Sequence, residues 1–229
     1  MTKERTHGNP IGEQISDELG FDADALREVF RDAFTSFIAQ DIDCIRRGVS
    51  ERNLCCRLAM VLEPLAHARG LTGYRADVEY NRGSGTNLKT IVNDVWELIP
   101  ITCDLILHSR GRLFRDNLIA IEMKRLSHEQ LEKDRDRVRL MALTDGKRTP
   151  ARRAGPRRGE QVYGYELGYF VELRHNHFLI EEYVGGRQTT AWSIGLQVQH
   201  GPSPARTGRQ PSPDLFGFAE VPLHENSQR

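Results

Sequence analysis

The fold of this chain is decided by Cys103-Asp104-Leu105-Ile106-Leu107-His108, a polar turn, and then Asn117-Leu118-Ile119-Ala120-Ile121-Glu122-Met123-Lys124. The apolar runs predict two strands folded back on each other. Asp104, Glu122 and Lys124 are the charged side chains inside them. Because an unpaired charge is costly to bury, these three side chains need either partners or a function.

A hairpin folded symmetrically about residue 113 places Asp104 opposite Glu122. Directly paired residues share a sheet face, roughly 4.5–5.5 Å apart at Cβ, and Lys124 shares that face because it is two residues from Glu122. Two carboxylates and an ammonium should therefore converge at one end of the hairpin. The alternative is an ordinary salt bridge between Glu122 and Lys124 beside an unrelated Asp104.

Two facing carboxylates repel each other unless a cation lies between them. Their hard oxygen ligands suit Mg²⁺, for which Mn²⁺ would substitute, and Mg²⁺ binds through one or two carboxylates plus substrate phosphate. Such a metal activates water and neutralises charge on a phosphoryl oxygen. Lys124 would orient that water or stabilise the phosphorus centre.

Composition narrows the class of protein. The 229 residues include 32 basic and 32 acidic side chains, so net charge gives no nucleic-acid signal. No segment approaches the roughly 20 apolar residues of a membrane span, and the polar N-terminus is unlike a signal peptide, so we expect a cytoplasmic protein without a membrane partner. The four cysteines lack the paired spacing of a zinc site.

Periodicity predicts one α/β domain over residues 21–200, preceded by a flexible lead (1–20) and followed by a disordered tail (201–229). The elements expected are a helix capped by Asp22 or Asp24 that runs to about residue 47, then helix 50–69 opened by Ser50, strands 74–82, 101–108 and 117–124, helix 128–143, strand 162–173 and a C-terminal hairpin. In helix 128–143, Leu131, Val138 and Met141 are expected to face inward.

A basic loop at 146–160 includes Arg152 and Arg153. This loop is either solvated or contacts phosphates.

At Asp104 and Glu122-Met123-Lys124 the chain resembles the PD-(D/E)xK, or restriction-endonuclease-like, nucleases. The resemblance covers about residues 48–175 and includes the order of elements. It implies an αβββαβ core with a central mixed sheet flanked by helices. It also implies that Asp104 and Glu122 bind the metal, that Lys124 assists the attacking water, and that Glu51 on the first core helix adds a further acid.

A narrower resemblance, to small uncharacterised bacterial and phage-associated members of this fold, rests on Ser50-Glu51-Arg52 and Glu79-Tyr80-Asn81-Arg82 together with the same motif. Glu79 is a candidate second acid of the metal site, or part of an exposed strand end. Asn81, Arg82 and Lys89 are candidates for contacts with substrate phosphate. His108, at a strand end, is expected to be a hydrogen-bonded surface histidine.

These features favour a Mg²⁺-dependent nuclease that hydrolyses phosphodiester bonds, of DNA rather than RNA on family grounds, and a role in defence against foreign nucleic acid. Cleavage of both strands by one centre per chain would call for a homodimer. The alternatives are a catalytically silent nuclease fold that binds nucleic acid or protein, and a toxin-like RNase.

Overall fold

A computed structural model describes residues 22–80, 102–146 and 164–196, together with the backbone of 89–92, 98–100, 160–161 and 219–220. The predicted lead (1–20), the basic loop beyond Gly146 and most of the predicted tail lie outside these residues. Within the described part the protein is α/β, with three helices and a mixed open sheet. None of these helices is long and apolar enough to cross a bilayer.

The three helices begin close to where the sequence predicts. Helix α1 spans Ala23–Arg46 and is capped by the Asp22 side chain, which accepts a hydrogen bond from the Asp24 amide. Helix α2 spans Glu51–Ala68, and the hydroxyl of Ser50 caps it by accepting from the Asn53 amide. Helix α3 spans Gln130–Thr144. The two capped starts confirm the expected helix boundaries at these positions.

The strands, in chain order, are β1 Arg75–Val78, β2 Lys89–Val92, β3 Leu98–Pro100, β4 Leu105–His108, β5 Asn117–Arg125, β6 Glu160–Gln161, β7 Leu167–Leu173, β8 His177–Val184, β9 Arg187–Gly195 and β10 Ala219–Glu220. Six of them form the main sheet in the order β1-β4-β5-β7-β8-β9, which the two-residue β10 extends beyond β9. Strands β5 and β7 are parallel, joined through α3, and the other neighbours are antiparallel. The expected C-terminal hairpin is formed by β8 and β9.

A second, three-stranded sheet has the order β3-β2-β6. Strand β2 pairs antiparallel with β3 and parallel with β6.

The register between β4 and β5 agrees with the symmetric hairpin. Leu105 pairs with Ile121 and Leu107 with Ile119, so both pairs are centred on residue 113. The register shifts only between Leu107 and His108, near the turn. The pairing ends at Leu105 and Ile121, one residue short of Asp104 and Glu122, so the predicted pairing of those two residues is not part of this ladder.

The sheet separates two layers of helices. Helices α1 and α2 cover one face and bury a large core that includes the stacked rings of Phe30 and Tyr169, 3.7 Å apart. Helix α3 covers the other face with a smaller core that includes Ile106, Ala120 and Leu140. Because side chains alternate along a strand, Glu122 and Lys124 share the α3 face with Ala120.

The predicted inner face of α3 is wrong for two residues. Leu131 and Val138 are exposed, at 59% and 58% of their surface. The buried positions are instead Lys133, Asp136, Leu140, Leu143 and Thr144. These follow steps of three and four along the helix, so two charged residues occupy the inward stripe. Helix α3 therefore presents polar side chains to the end of the sheet that carries Glu122 and Lys124.

Candidate functional site

The candidate site lies at the end of β5, where this strand extends beyond its neighbour β4. Strand β4 begins at Leu105, opposite Ile121, whereas β5 continues to Arg125, so among the described residues the last part of β5 has no strand partner on the β4 side. Two carboxylates accept hydrogen bonds from the backbone amides in this part of β5. The Met123 amide donates to Asp104 Oδ2 at 2.8 Å, and the Arg125 amide donates to Glu51 Oε1 at 2.8 Å. Asp104 and Glu51 are thereby held along one edge of β5.

Glu122 is fully buried between β5 and α3. Its Oε1 accepts a hydrogen bond from Arg139 Nη1 at 2.7 Å, whereas its Oε2 is buried with no hydrogen-bond partner in the described part of the chain. Burial is the main cause that raises the pKa of Glu122 to about 8; the charge of Asp104 raises it further and Arg139 lowers it in part. A buried carboxyl with an unsatisfied oxygen is costly and calls for an explanation.

The Lys124 ammonium lies between two aspartates. Its Nζ is 3.2 Å from Asp136 Oδ2 and 3.7 Å from Asp104 Oδ2. Burial alone would lower the pKa of Lys124, but the two carboxylates outweigh it and the pKa is raised. The ammonium therefore remains charged at neutral pH.

Helix α3 contributes two groups that were not predicted from the sequence. Asp136 is buried, and Arg139 Nη1 bridges its Oδ1, at 2.9 Å, and Glu122 Oε1. The site thus consists of three carboxylates (Asp104, Glu122, Asp136) and two cations (Lys124, Arg139). The i, i+3 spacing of Asp136 and Arg139 on the helix that follows the E-x-K strand was the one available signal.

The other two predicted acids make different contacts. Glu51, besides binding the Arg125 amide, accepts from His128 Nε2 at 2.8 Å. Glu79 donates its backbone amide to the carbonyl of Asp104 at 3.2 Å, while its carboxylate pairs with Arg52 at 2.8 Å. Its φ of +51° ends β1 at Val78, four residues earlier than predicted. Glu79 adjoins the site through its backbone, and its carboxylate is engaged elsewhere.

Of the predicted phosphate contacts, Asn81, Arg82, Arg152 and Arg153 lie outside the described residues. Lys89 begins β2 in the three-stranded sheet, where only the backbone is described. These residues remain predictions.

His108 is not a surface histidine. It is fully buried, its Nε2 lies 2.9 Å from Asp77 Oδ2, and its ring packs edge-on against Tyr80. Burial raises the pKa of Asp77, but hydrogen bonds from His108 and Arg110 outweigh that and hold it well below its usual range. The expected hydrogen bond is present, but it lies within the protein because the β1–β4 pairing covers the strand end.

The acidic groups are chemically suited to bind a divalent cation, but among the described residues they do not form a complete set of metal ligands. The unsatisfied Oε2 of Glu122 and the oxygens of Asp104 and Asp136 are hard donors suited to Mg²⁺. Among the described residues no three or more His, Cys, Asp or Glu side chains are arranged to hold a metal ion. Mg²⁺ usually keeps several waters and needs only one or two protein carboxylates, so Glu122 and Asp104 would suffice.

Comparison of the chain with protein-family models, with curated proteins and with solved structures finds no match.

Proposed function

We propose that this protein is a metal-dependent nuclease that hydrolyses phosphodiester bonds, with DNA as its substrate, on a restriction-endonuclease-like core. The observation that carries the proposal is the fully buried Glu122, whose Oε2 has no hydrogen-bond partner in the described part of the chain and whose pKa the nearby charges of Asp104 and Asp136 raise. Burial of a carboxylate among other charged groups is typical of functional sites.

The order of elements supports the same core. Helix α2, strands β1, β4 and β5, helix α3 and strand β7 follow each other as the resemblance requires, apart from β2, β3 and β6, which form a separate sheet. The acidic and basic groups come from β5, from the residue before β4 and from α3.

Each residue of the candidate site would have its own role in the reaction. Glu122 and Asp104 would hold Mg²⁺ or Mn²⁺, which supplies activation of water and neutralisation of phosphoryl charge. Lys124, kept charged by Asp104 and Asp136, would orient the nucleophile and stabilise negative charge on the phosphate. Arg139 balances the acidic groups and fixes the Glu122 carboxylate through its hydrogen bond to Oε1.

The test is cleavage of supercoiled plasmid, linear DNA and RNA, side by side, by the purified chain with Mg²⁺ or Mn²⁺. We expect the purified protein to cleave DNA. EDTA should stop this cleavage, and Lys124→Ala and Asp104→Ala should abolish it. Arg135→Ala is the matched control, because Arg135 is an exposed cation on α3. Cleavage retained by folded Lys124→Ala overturns the assignment of the site, and preferential cleavage of RNA favours the RNase alternative.

One observation favours a catalytically silent fold that binds nucleic acid or protein. Lys124 and Arg139 already pair with the three acids, so the charges nearly balance without a metal. Calorimetric titration separates the two functions. A nuclease should bind Mn²⁺ in a way that Glu122→Gln and Asp104→Asn remove, whereas a silent module should bind none at these residues.

A further inference from the structure

A cavity lies where α1, β5 and β7 end, and none of the five residues of the acidic site lines it. Arg125 follows Lys124 in the strand, so its side chain points toward α1 and α2, where it lines the cavity with Arg46 at the end of α1. Arg174 and His175, just after β7, also belong to its polar wall. The volume is about 360 Å³, within the range of roughly 300–1,000 Å³ found for small-molecule sites.

We infer that this cavity binds a phosphate monoester carried on an organic group. Three guanidinium groups line it, and none of the described residues that line it is acidic. Guanidinium groups bind phosphate through paired, charge-assisted hydrogen bonds, and a phosphate monoester carries close to two negative charges at neutral pH. A tetrahedral dianion therefore matches this lining.

Two of the arginines form hydrogen bonds that do not neutralise the positive charge at the cavity. Arg125 Nη2 donates to the Val49 carbonyl, a neutral acceptor. Arg174 Nε donates to Glu172 Oε2 at 2.6 Å, but Glu172 also pairs with Lys133 at 2.8 Å, so one acid is shared by two cations. A guanidinium has five N–H donors, and one anchoring bond leaves others for a ligand.

Apart from Ser127, the rest of the lining is apolar. Leu126 is 43% exposed and presents apolar surface to the cavity, beside the buried Ile45, Leu173 and Leu196. Inorganic phosphate would leave this surface without a partner, whereas the sugar and base of a nucleotide would cover it. The ligand chemistry is therefore a phosphate joined to a less polar group.

Two sources could supply such a group: a free mononucleotide, or the terminal phosphate of a nucleic-acid strand. The inference rests on the residues of this cavity and does not require the nuclease activity. Measurements in EDTA, repeated with Lys124→Ala, keep it separate from the acidic site.

The test is calorimetric titration at low ionic strength with 5′-AMP, adenosine, inorganic phosphate, and a short single-stranded DNA with or without a 5′-phosphate. We expect 5′-AMP, the phosphorylated DNA, or both to bind at least tenfold more tightly than their counterparts without phosphate. Arg125→Gln and Arg174→Gln should each weaken that binding about tenfold. Arg47→Gln, an exposed arginine outside the lining, is the matched control and should have no effect.

Binding of 5′-AMP alone assigns the free nucleotide, and binding of the phosphorylated DNA alone assigns the strand end. The thermal unfolding curve of each variant verifies its fold. If Arg125→Gln or Arg174→Gln unfolds, Arg46→Gln replaces it, because Arg46 is exposed and lines the same cavity. The inference is overturned if no phosphate-bearing probe binds, if adenosine binds as tightly as 5′-AMP, or if the folded arginine variants bind like the wild type.

Discussion

Asp136 Oδ2 on α3 lies 3.2 Å from Lys124 Nζ on β5, and this contact ties the helix to the strand that carries the proposed catalytic lysine. Asp136 is buried, and its other oxygen accepts from Arg139 at 2.9 Å. One acid on α3 therefore positions both cations of the site.

Asp136→Asn should reduce cleavage by about 10–100-fold, because a small misplacement of a catalytic group costs this much. Asp136 also raises the pKa of Lys124, so in the variant the loss of activity at alkaline pH should move to lower pH. Initial rates of DNA cleavage across a pH series measure both effects. Asp134→Asn, at an exposed acid two residues earlier, should change neither. An unshifted profile would show that Asp136 does not tune the lysine.

Glu122→Gln should change how the stability of the metal-free protein depends on pH. The folded-state pKa of about 8 exceeds the ordinary value of 4.5, so folding favours the protonated carboxyl. The wild type should therefore lose stability relative to Glu122→Gln as pH rises between these values, by up to about 1.4 kcal/mol per pH unit. The Gln variant lacks this titration.

Urea unfolding in EDTA from pH 5 to pH 8 measures that difference. Glu129→Gln, at an exposed glutamate next to α3, should follow the wild type. Parallel curves for wild type and Glu122→Gln would mean that the buried carboxyl is ionised throughout at no cost to folding.

How α3 faces the sheet can be tested with two identical substitutions. Leu140 is fully buried, and Leu140→Ala should cost about 2–5 kcal/mol of unfolding free energy. Leu131 is 59% exposed, and Leu131→Ala should change that free energy by no more than about 0.5 kcal/mol. Chemical denaturation of both variants gives the comparison. A larger loss for Leu131→Ala would restore the inner face expected from the sequence.

Much of the fold could be predicted because it depends on local patterns. The apolar runs on either side of residue 113 are long enough to determine the β4–β5 register, and Asp22 and Ser50 mark two helix starts by the chemistry of their side chains. The E-x-K spacing also located Glu122 and Lys124 on the same face of β5.

The contribution of α3 to the site could not be predicted in the same way. Hydrophobic periodicity assumes that apolar residues face inward, and α3 instead buries Lys133 and Asp136 because partners from the sheet satisfy them. His108 was misplaced for a similar reason, since Asp77 on the neighbouring strand makes its burial tolerable. Such pairings depend on tertiary contacts that one sequence does not display.

Mn²⁺ soaked into crystals of the protein tests the proposed metal centre most directly. Anomalous diffraction at about pH 8, near the pKa of Glu122 in the metal-free protein, locates the ion. We expect a peak in contact with the carboxylates of Glu122 and Asp104 that is absent from crystals of Glu122→Gln. Data from well-diffracting soaked crystals with no peak at these two side chains would contradict the proposed metal centre.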